Sequence, residues 1–264
     1  MLDIGPAQTS DLPLTGERTV PGLDVENYWF RRHEAVYRAL APACAGAVVL
    51  DAGVGEGYGA ALLATTARTV VALELDPAVA AHVAARYPQV PTVRADLQAF
   101  PVADASVDAV VTLQVIEHLW DQPGFLAECA RVLRPGGRLH CATPNRLTFS
   151  PGAGPGDRPL NPFHTRELTG AELASLITDA GLEVEALTGL HHGPGLRELD
   201  ARHGGSVIDA QIALALSGEA WPDGLAADVA AVTADDFDLR ADEADGADDV
   251  DASLDLLVSA VRRA

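Results

Sequence analysis

The stretch VVLDAGVGEGYGAALLA, residues 48–64, most limits what this chain can fold into. Val48, Val49 and Leu50 form a short apolar run of strand type. Asp51 and four alternating glycines, Gly53, Gly55, Gly57 and Gly59, lead from it into the apolar helix formers Ala60 to Ala64. A strand that turns through glycines into a helix is a cradle for a nucleotide-bearing cofactor. A dinucleotide fingerprint needs glycines at the first, third and sixth positions, and the sixth position counted from Gly53 is Tyr58. The run therefore argues against a nicotinamide dinucleotide. Asp51, at the strand end, suits a cofactor that carries a positive amino group.

The next β-rich run ends VVALELD and places Glu74 23 residues after Asp51, near the ~20-residue offset at which a carboxylate takes ribose hydroxyls. In RADLQAFP, after the third run, Asp96 is the candidate acceptor for an adenine amino group. Leu97 and Leu75 are the candidate apolar faces for the ring. The other reading of Asp96 is a helix N-cap.

Beyond the turn, the period switches repeatedly between strand-like and helix-like runs, the pattern of helices packed on a mostly parallel sheet. Strands are expected at 47–51, 69–74, 91–94, 108–113, 137–142 and 182–187, and helices near 57–65, 77–86, 122–133 and 169–180. A first helix over 24–41 carries Tyr28, Trp29, Phe30 and Tyr37 and is expected to fold over the cofactor end of the sheet. The apolar run 254–262 reads as a closing edge strand or a short helix, with the strand preferred. The resulting division is an N-terminal cap (1–45), a cofactor-binding core (46–187), an insertion (188–253) and a closing strand with tail (254–264). The insertion contains an Ala-rich helix at 206–217 and another near 223–232. Such insertions commonly carry substrate choice.

Composition narrows the function classes. At 264 residues the chain can bury a substantial core. Its formal charge of −20 opposes binding to nucleic acid or to anionic membrane surfaces. Part of that charge sits in 235–251, which reads as a solvated acidic segment. Cys44, Cys129 and Cys141 lack disulfide-framework or zinc spacing and read as reduced core thiols. The first residues have no basic, apolar targeting pattern and no run reaches the ~18 apolar residues of a membrane span, so a cytoplasmic enzyme is expected.

The fourth strand runs into VTLQVIEHLWDQP, and ligands meet open sheets of this kind at strand ends. Gln114, Glu117 and His118 are thus expected beside the cofactor, with Glu117 and His118 as candidate catalytic groups; the bland alternative is that the pair only caps and packs the turn. The fifth strand ends in Thr143, Pro144 and Asn145, followed by a Pro/Gly-rich loop at 151–162 and then His164. The sixth ends TGLHHGP, which brings His191 and His192 to the same edge; one of them is a candidate base. Trp120 and Trp221 are candidate platforms for a ring, or packing residues.

Five motifs in order, Asp51-Ala-Gly-Val-Gly-Glu-Gly-Tyr-Gly, Glu74, Ala95-Asp96-Leu97, Val107-Asp108-Ala-Val-Val and Leu133-Arg-Pro-Gly-Gly-Arg138, resemble those of class I S-adenosylmethionine-dependent methyltransferases. The resemblance covers about 45–145. It implies a Rossmann-like seven-stranded α/β sheet with an antiparallel last strand. By it, Asp51 and the backbone of Gly53, Gly55 and Gly57 sit by the methionine part, Glu74 holds the ribose, and Asp96 and Leu97 meet the adenine. In related enzymes a Glu-His pair at this strand end is either a base histidine or part of a divalent metal site completed by a later histidine. The small-RNA 2′-O-methyltransferases and ubiquinone-pathway O-methyltransferases resemble the second case, with a further glutamate where this chain has Gln114. The metal set implied here is Glu117, His118 and His164, suited to magnesium or manganese; His164 is alternatively a loop residue capping the next helix.

The segments GERTVPGLDVENYWFRRHEAVY, TPNRLTFSPG, NPFHTREL, GLHHGP and LDARHGGSVIDAQIALAL resemble actinobacterial methyltransferases encoded with methylmannose polysaccharide biosynthesis. That resemblance implies O-methylation of a mannose-type sugar or short oligosaccharide. It makes Tyr28, Arg32 and His33 candidates for closing over cofactor and sugar, with Asn145 and His192 as further substrate-binding candidates; Trp29 and Phe30 read equally as a hydrophobic staple. Methylation of a small aromatic O- or N-acceptor, or a catalytically idle cofactor-binding protein, are the competing readings. A homodimer is compatible with the sequence, but no residue specifies it.

Overall fold

The computed structural model describes residues 12, 15, 18–241 and 250–263. Residues 1–11, 13, 14, 16 and 17 of the expected cap, 242–249 of the acidic run and 264 of the tail lie outside the described residues. The strands are β1 (Val48–Ala52), β2 (Thr69–Glu74), β3 (Thr92–Arg94), β4 (Val107–Leu113), β5 (Leu133–Pro144), β6 (Glu183–His192), β7 (Phe237–Ala241) and β8 (Asp255–Val261). The helices are α1 (Asn27–Leu40), α2 (Tyr58–Leu63), α3 (Pro77–Arg86), α4 (Gln122–Val132), α5 (Arg146–Phe149), α6 (Gly170–Asp179), α7 (Pro194–Arg202), α8 (Val207–Ser217) and α9 (Asp223–Ala231).

All eight strands form one sheet in the order β3-β2-β1-β4-β5-β8-β6-β7. The strands from β3 to β5 are parallel, and β8 runs antiparallel between β5 and β6. The preferred reading of 254–262 as a strand is therefore correct. The expected count of seven is not, because β7 adds an antiparallel edge beside β6. Its sequence, FDLRA, alternates apolar and polar residues and buries Phe237. It lies inside the acidic run, whose charge hid the period. β6 also continues to His192, further than expected, since β7 supplies hydrogen-bond partners along Thr188–His192.

Alternation along the strands divides the core. Val49 and Val111 join Tyr28, Tyr37, Leu62 and Val83 on one side. Leu50 and Val110 join Phe125, Leu126, Leu173 and Ile177 on the other. Helix starts are fixed locally: Asp76 accepts from Ala78 and Val79 N–H ahead of α3, Asp121 accepts from Gly124 N–H in α4, and Thr169 and Glu172 form a capping box on α6. The three cysteines are buried and unpaired, as expected. Among the described residues, no helix is long and apolar enough to cross a membrane.

Helix α1 spans the carboxyl edge of the sheet. Near its end, Tyr37 reaches Asp51 at the end of β1; in its first turn, Tyr28 reaches His192 at the end of β6. Between them, Arg32 makes a bidentate ion pair with Asp255 at the start of β8, its Nε 2.7 Å from Oδ2 and its Nη2 against Oδ1. Both residues are buried, and the guanidinium also lies 4.6 Å from the Phe149 ring centroid. Removing one partner of such a pair strands the other charge in the interior. Asp255→Asn is expected to cost about 3–5 kcal/mol of unfolding free energy, read as a lower urea midpoint; a loss near zero would mean that α1 is not held by this pair.

Candidate functional site

The glycine turn is shaped by backbone demands that only glycine meets at low cost. Gly53 has φ +87°, and a Cβ there would lie 2.5 Å from Val115 Cγ2; Gly57, which precedes α2, has φ +102°. The turn is thereby pressed against the β4 end, where Gln114 itself has φ +57°. A non-glycine residue in the left-handed region marks local strain of the kind found at functional sites. Nothing in the sequence around Gln114 announces it.

Glu74 closes over the turn. Its Oε2 accepts from Gly55 N–H at 3.2 Å and its Oε1 from Asp76 N–H at 3.0 Å, so each oxygen keeps a lone pair for another donor. Asp51 is fully buried, with the Tyr37 hydroxyl 3.4 Å from both its oxygens. Burial raises its pKa from 3.8 to about 7. Asp96 is exposed and its Oδ1 accepts from Gln98 N–H, a turn contact and not a helix cap. Leu97 is packed into the core, whereas Leu75 is 58% exposed.

The Glu-His pair occupies a 3-10 turn at Ile116–His118. Glu117 is buried; its Oε2 accepts from the Thr143 hydroxyl at 2.9 Å, and its Oε1 is buried without a hydrogen-bond partner. Burial raises its pKa, an effect that His118 and His164 partly offset. His118 Nδ1 lies 3.2 Å from the Phe163 carbonyl, which can only accept, so Nδ1 carries the proton and Nε2 the lone pair. The rings of His118 and His164 are 5.0 Å apart, edge to face. One ligand atom from each of Glu117, His118 and His164 falls within 4.8 Å of the others. Thr165 holds the His164 loop to this turn by donating from N–H and Oγ1 to the Glu117 carbonyl. The structure thus brings together the three residues expected as a group from separate parts of the chain.

The acceptor-side candidates separate. The Tyr28 hydroxyl is 2.6 Å from His192 Nε2, and His192 Nδ1 is 2.6 Å from Asp200, with burial lowering the histidine's pKa. His191 lies over Gly189 beside Ser253, on the other face of the strand. Both histidines border a cavity of about 290 Å³ with Arg197, Arg240, Ala252 and Leu254. His33 faces Thr19 and Tyr58, against the start of α2. Asn145 is engaged internally: its amide nitrogen donates to the carbonyls of Val250, Asp251 and Ser253, and its oxygen accepts from Leu147 N–H. Trp221 packs on the core, while Trp120 is 88% exposed two residues after His118.

Three groups at this edge had no individual role in the sequence reading. Tyr37 meets Asp51 because it sits ten positions after Asn27 on a helix that crosses β1. Thr143 was visible only as part of a strand end. Glu167, which meets His164, carried a usable signal: the two are three residues apart in HTRE.

Comparison with known proteins agrees with this geometry. Residues 50–141 match the methyltransferase domain family. The chain is 59% identical to a probable S-adenosylmethionine-dependent methyltransferase of Mycobacterium tuberculosis, over 97% of this chain and 92% of that protein. It is 32% identical to a ubiquinone biosynthesis O-methyltransferase of Xanthomonas axonopodis pv. citri, over 62% of this chain and 73% of that one. Among solved structures, a Thermotoga maritima S-adenosylmethionine-dependent methyltransferase, described as a possible histamine N-methyltransferase, superposes with a TM-score of 0.59. That match is at 14% identity over 90% of this chain and 94% of that one, a likeness of fold alone. With its glycine turn, its acidic strand ends and a relative matched along nearly its whole length, this chain belongs to the class I S-adenosylmethionine-dependent methyltransferases.

Proposed function

We propose that this enzyme methylates a hydroxyl of a mannose-type sugar or short oligosaccharide, at a site where Glu117, His118 and His164 would hold a divalent cation such as magnesium or manganese. The observation that carries the metal reading is the orphaned, buried Oε1 of Glu117. An unpaired buried carboxylate oxygen is costly, and a cation within reach of it and of two imidazole lone pairs would offset that cost. The oxygen-and-imidazole donor set fits magnesium or manganese moderately. The sugar reading rests on the resemblance of several segments to methylmannose-pathway enzymes and on the polar residues along the β6 edge. The O-methyltransferase name of the Xanthomonas relative favours oxygen as the acceptor atom. An aromatic acceptor is the second reading, favoured by the exposed Trp120, Leu160 and Phe163 around the His164 loop.

In this reading Asp51 takes the ammonium of the methionine part and Glu74 the ribose hydroxyls. The Gly53–Gly57 backbone, Gln114, Asp96 and Leu97 complete the cofactor contacts. Methyl transfer from a sulfonium is an in-line displacement, so alignment of the acceptor oxygen is the main task. An alcohol must also lose a proton. A divalent cation would supply Lewis acidity to that hydroxyl. Without one, His118 is the base, its Nε2 kept unprotonated by the contact of Nδ1 with the Phe163 carbonyl. Tyr28 and His192 approach from the α1 and β6 side.

Labelled methyl transfer to mannosides and partly methylated mannose oligosaccharides, run with magnesium and with a chelator, tests the assignment. Turnover on a mannoside that the chelator abolishes is the expected result, with Glu117→Gln lowering kcat about 10²–10⁴-fold. Turnover on phenols and on no sugar would sink the sugar reading.

Asp51 gives a separate pH test. Its folded pKa lies above its unfolded value, so the folded state binds the proton more tightly, and stability falls as pH rises from about 4 to about 7. Asp51→Asn is therefore expected to stabilise the ligand-free protein by a margin that grows over that interval to on the order of 4 kcal/mol. It should also weaken S-adenosylmethionine binding above pH 7. A stability margin independent of pH, followed by thermal melts, would contradict the buried-carboxylate account.

A further inference from the structure

Glu167 has no part in the roles described so far, yet it lies at the centre of the site. It is 1% exposed, and its Oε1 is 2.6 Å from His164 Nδ1. Its other oxygen, Oε2, is buried without a hydrogen-bond partner. Arg146, the nearest cation by hydrogen bonding, donates to the Glu167 carbonyl and to the Glu172 carboxylate, not to the Glu167 side chain. A carboxylate placed this way is costly to bury unless its one side-chain contact is of consequence. On the far side of the ring, the Asn161 amide nitrogen lies 3.0 Å from His164 Nε2. An amide NH2 group only donates, so Nε2 accepts and the proton sits on Nδ1, toward Glu167. Both neighbours of the ring thus select the same tautomer.

We propose that Glu167 is a positioning residue that holds His164 with its proton on Nδ1, so that Nε2 carries a lone pair, taken up by the Asn161 amide in the ligand-free protein and open to the cluster with Glu117 and His118 once a cation displaces that amide. The part of this that concerns metal rests on the reading of that cluster as a cation site; the part that concerns the tautomer does not. A carboxylate behind a ligating histidine raises the basicity of the ring and fixes its orientation, and loss of such a partner commonly lowers metal affinity about 10–100-fold. The two carboxylates, Glu117 and Glu167, would also bring two negative charges to a site whose other members are neutral imidazoles, a balance suited to a dication.

The test uses the full chain labelled with 15N-histidine, the His164 signals being assigned by their loss in His164→Asn. The wild type is expected to show the Nδ1-protonated form. In an Asn161→Ala background, where the second contact that selects this tautomer is gone, Glu167→Leu should shift it toward the Nε2-protonated form, whereas Glu167→Gln, which keeps a neutral acceptor, should retain it. Manganese affinity, read from the free-ion EPR signal, should fall about 10–100-fold in Glu167→Leu, with S-adenosylhomocysteine affinity unchanged as the check on folding. An unaltered tautomer when Glu167→Leu is combined with Asn161→Ala overturns the proposal. Failure of the wild type to bind manganese, with the tautomer shift still present, would remove the metal reading and leave Glu167 as the group that orients a base.

Discussion

The burial of negative charge along one edge of the sheet is the constraint on which the rest of the structure depends. Asp51, Glu117, Glu167 and Asp255 are all nearly inaccessible, and they sit at or beside the carboxyl ends of β1, β4 and β5 and the start of β8. Only Asp255 has a bidentate guanidinium partner, Arg32. That ion pair lets α1 cross the edge with Tyr37 against Asp51 and Tyr28 against His192. The remaining carboxylates lack such a partner, and for Asp51 and Glu117 burial raises the pKa. A fold that keeps such groups in place gives up stability in the ligand-free state. The return comes when a positively charged ligand arrives, and S-adenosylmethionine brings both an ammonium and a sulfonium.

Much of the scaffold was legible because hydrophobic period is a local property. Val48–Leu50, Val107–Leu113 and the 254–262 run were readable without knowledge of their neighbours, since a strand covered on both faces is apolar throughout. β7 was not, because its period of two covers only five residues and is embedded in acidic sequence, where charge outweighs pattern. The extension of β6 to His192 followed from the same omission: an edge gains residues when a partner strand arrives, and that partner was missing from the reading.

Within the site, the glycine-turn end was more legible than the β6 end. Glycine spacing and the acidic strand ends are properties of the backbone path, so the positions of Gly53, Gly57, Asp51 and Glu74 at the turn and strand ends could be read from sequence alone. Whether a polar side chain faces a ligand or its own chain is decided by tertiary contacts. Asn145 illustrates this: it stands at a strand end on the active edge, yet its amide ties β5 to the 250–253 turn. His191 and His192 are adjacent and border one cavity, yet their neighbours differ: His192 meets Tyr28 and Asp200, whereas His191 lies over Gly189. The left-handed backbone at Gln114 was invisible for a related reason, since glutamine is not a residue that favours it.

The exchange of carboxylate for amide at Gln114 bears on how the cluster could work. The metal-site resemblance carries a further glutamate at this position, which would give the site a second acidic ligand. This chain has a neutral amide there, on a left-handed backbone. On the proposed metal reading, Glu167 would supply a second carboxylate from a different direction, through the ring of His164 instead of by direct ligation. Glu117 and Glu167 would then carry the negative charge offered to a dication, with none from position 114. That reading ties the buried Glu167 to the same requirement that the extra glutamate meets in the related sites, attraction for a dication.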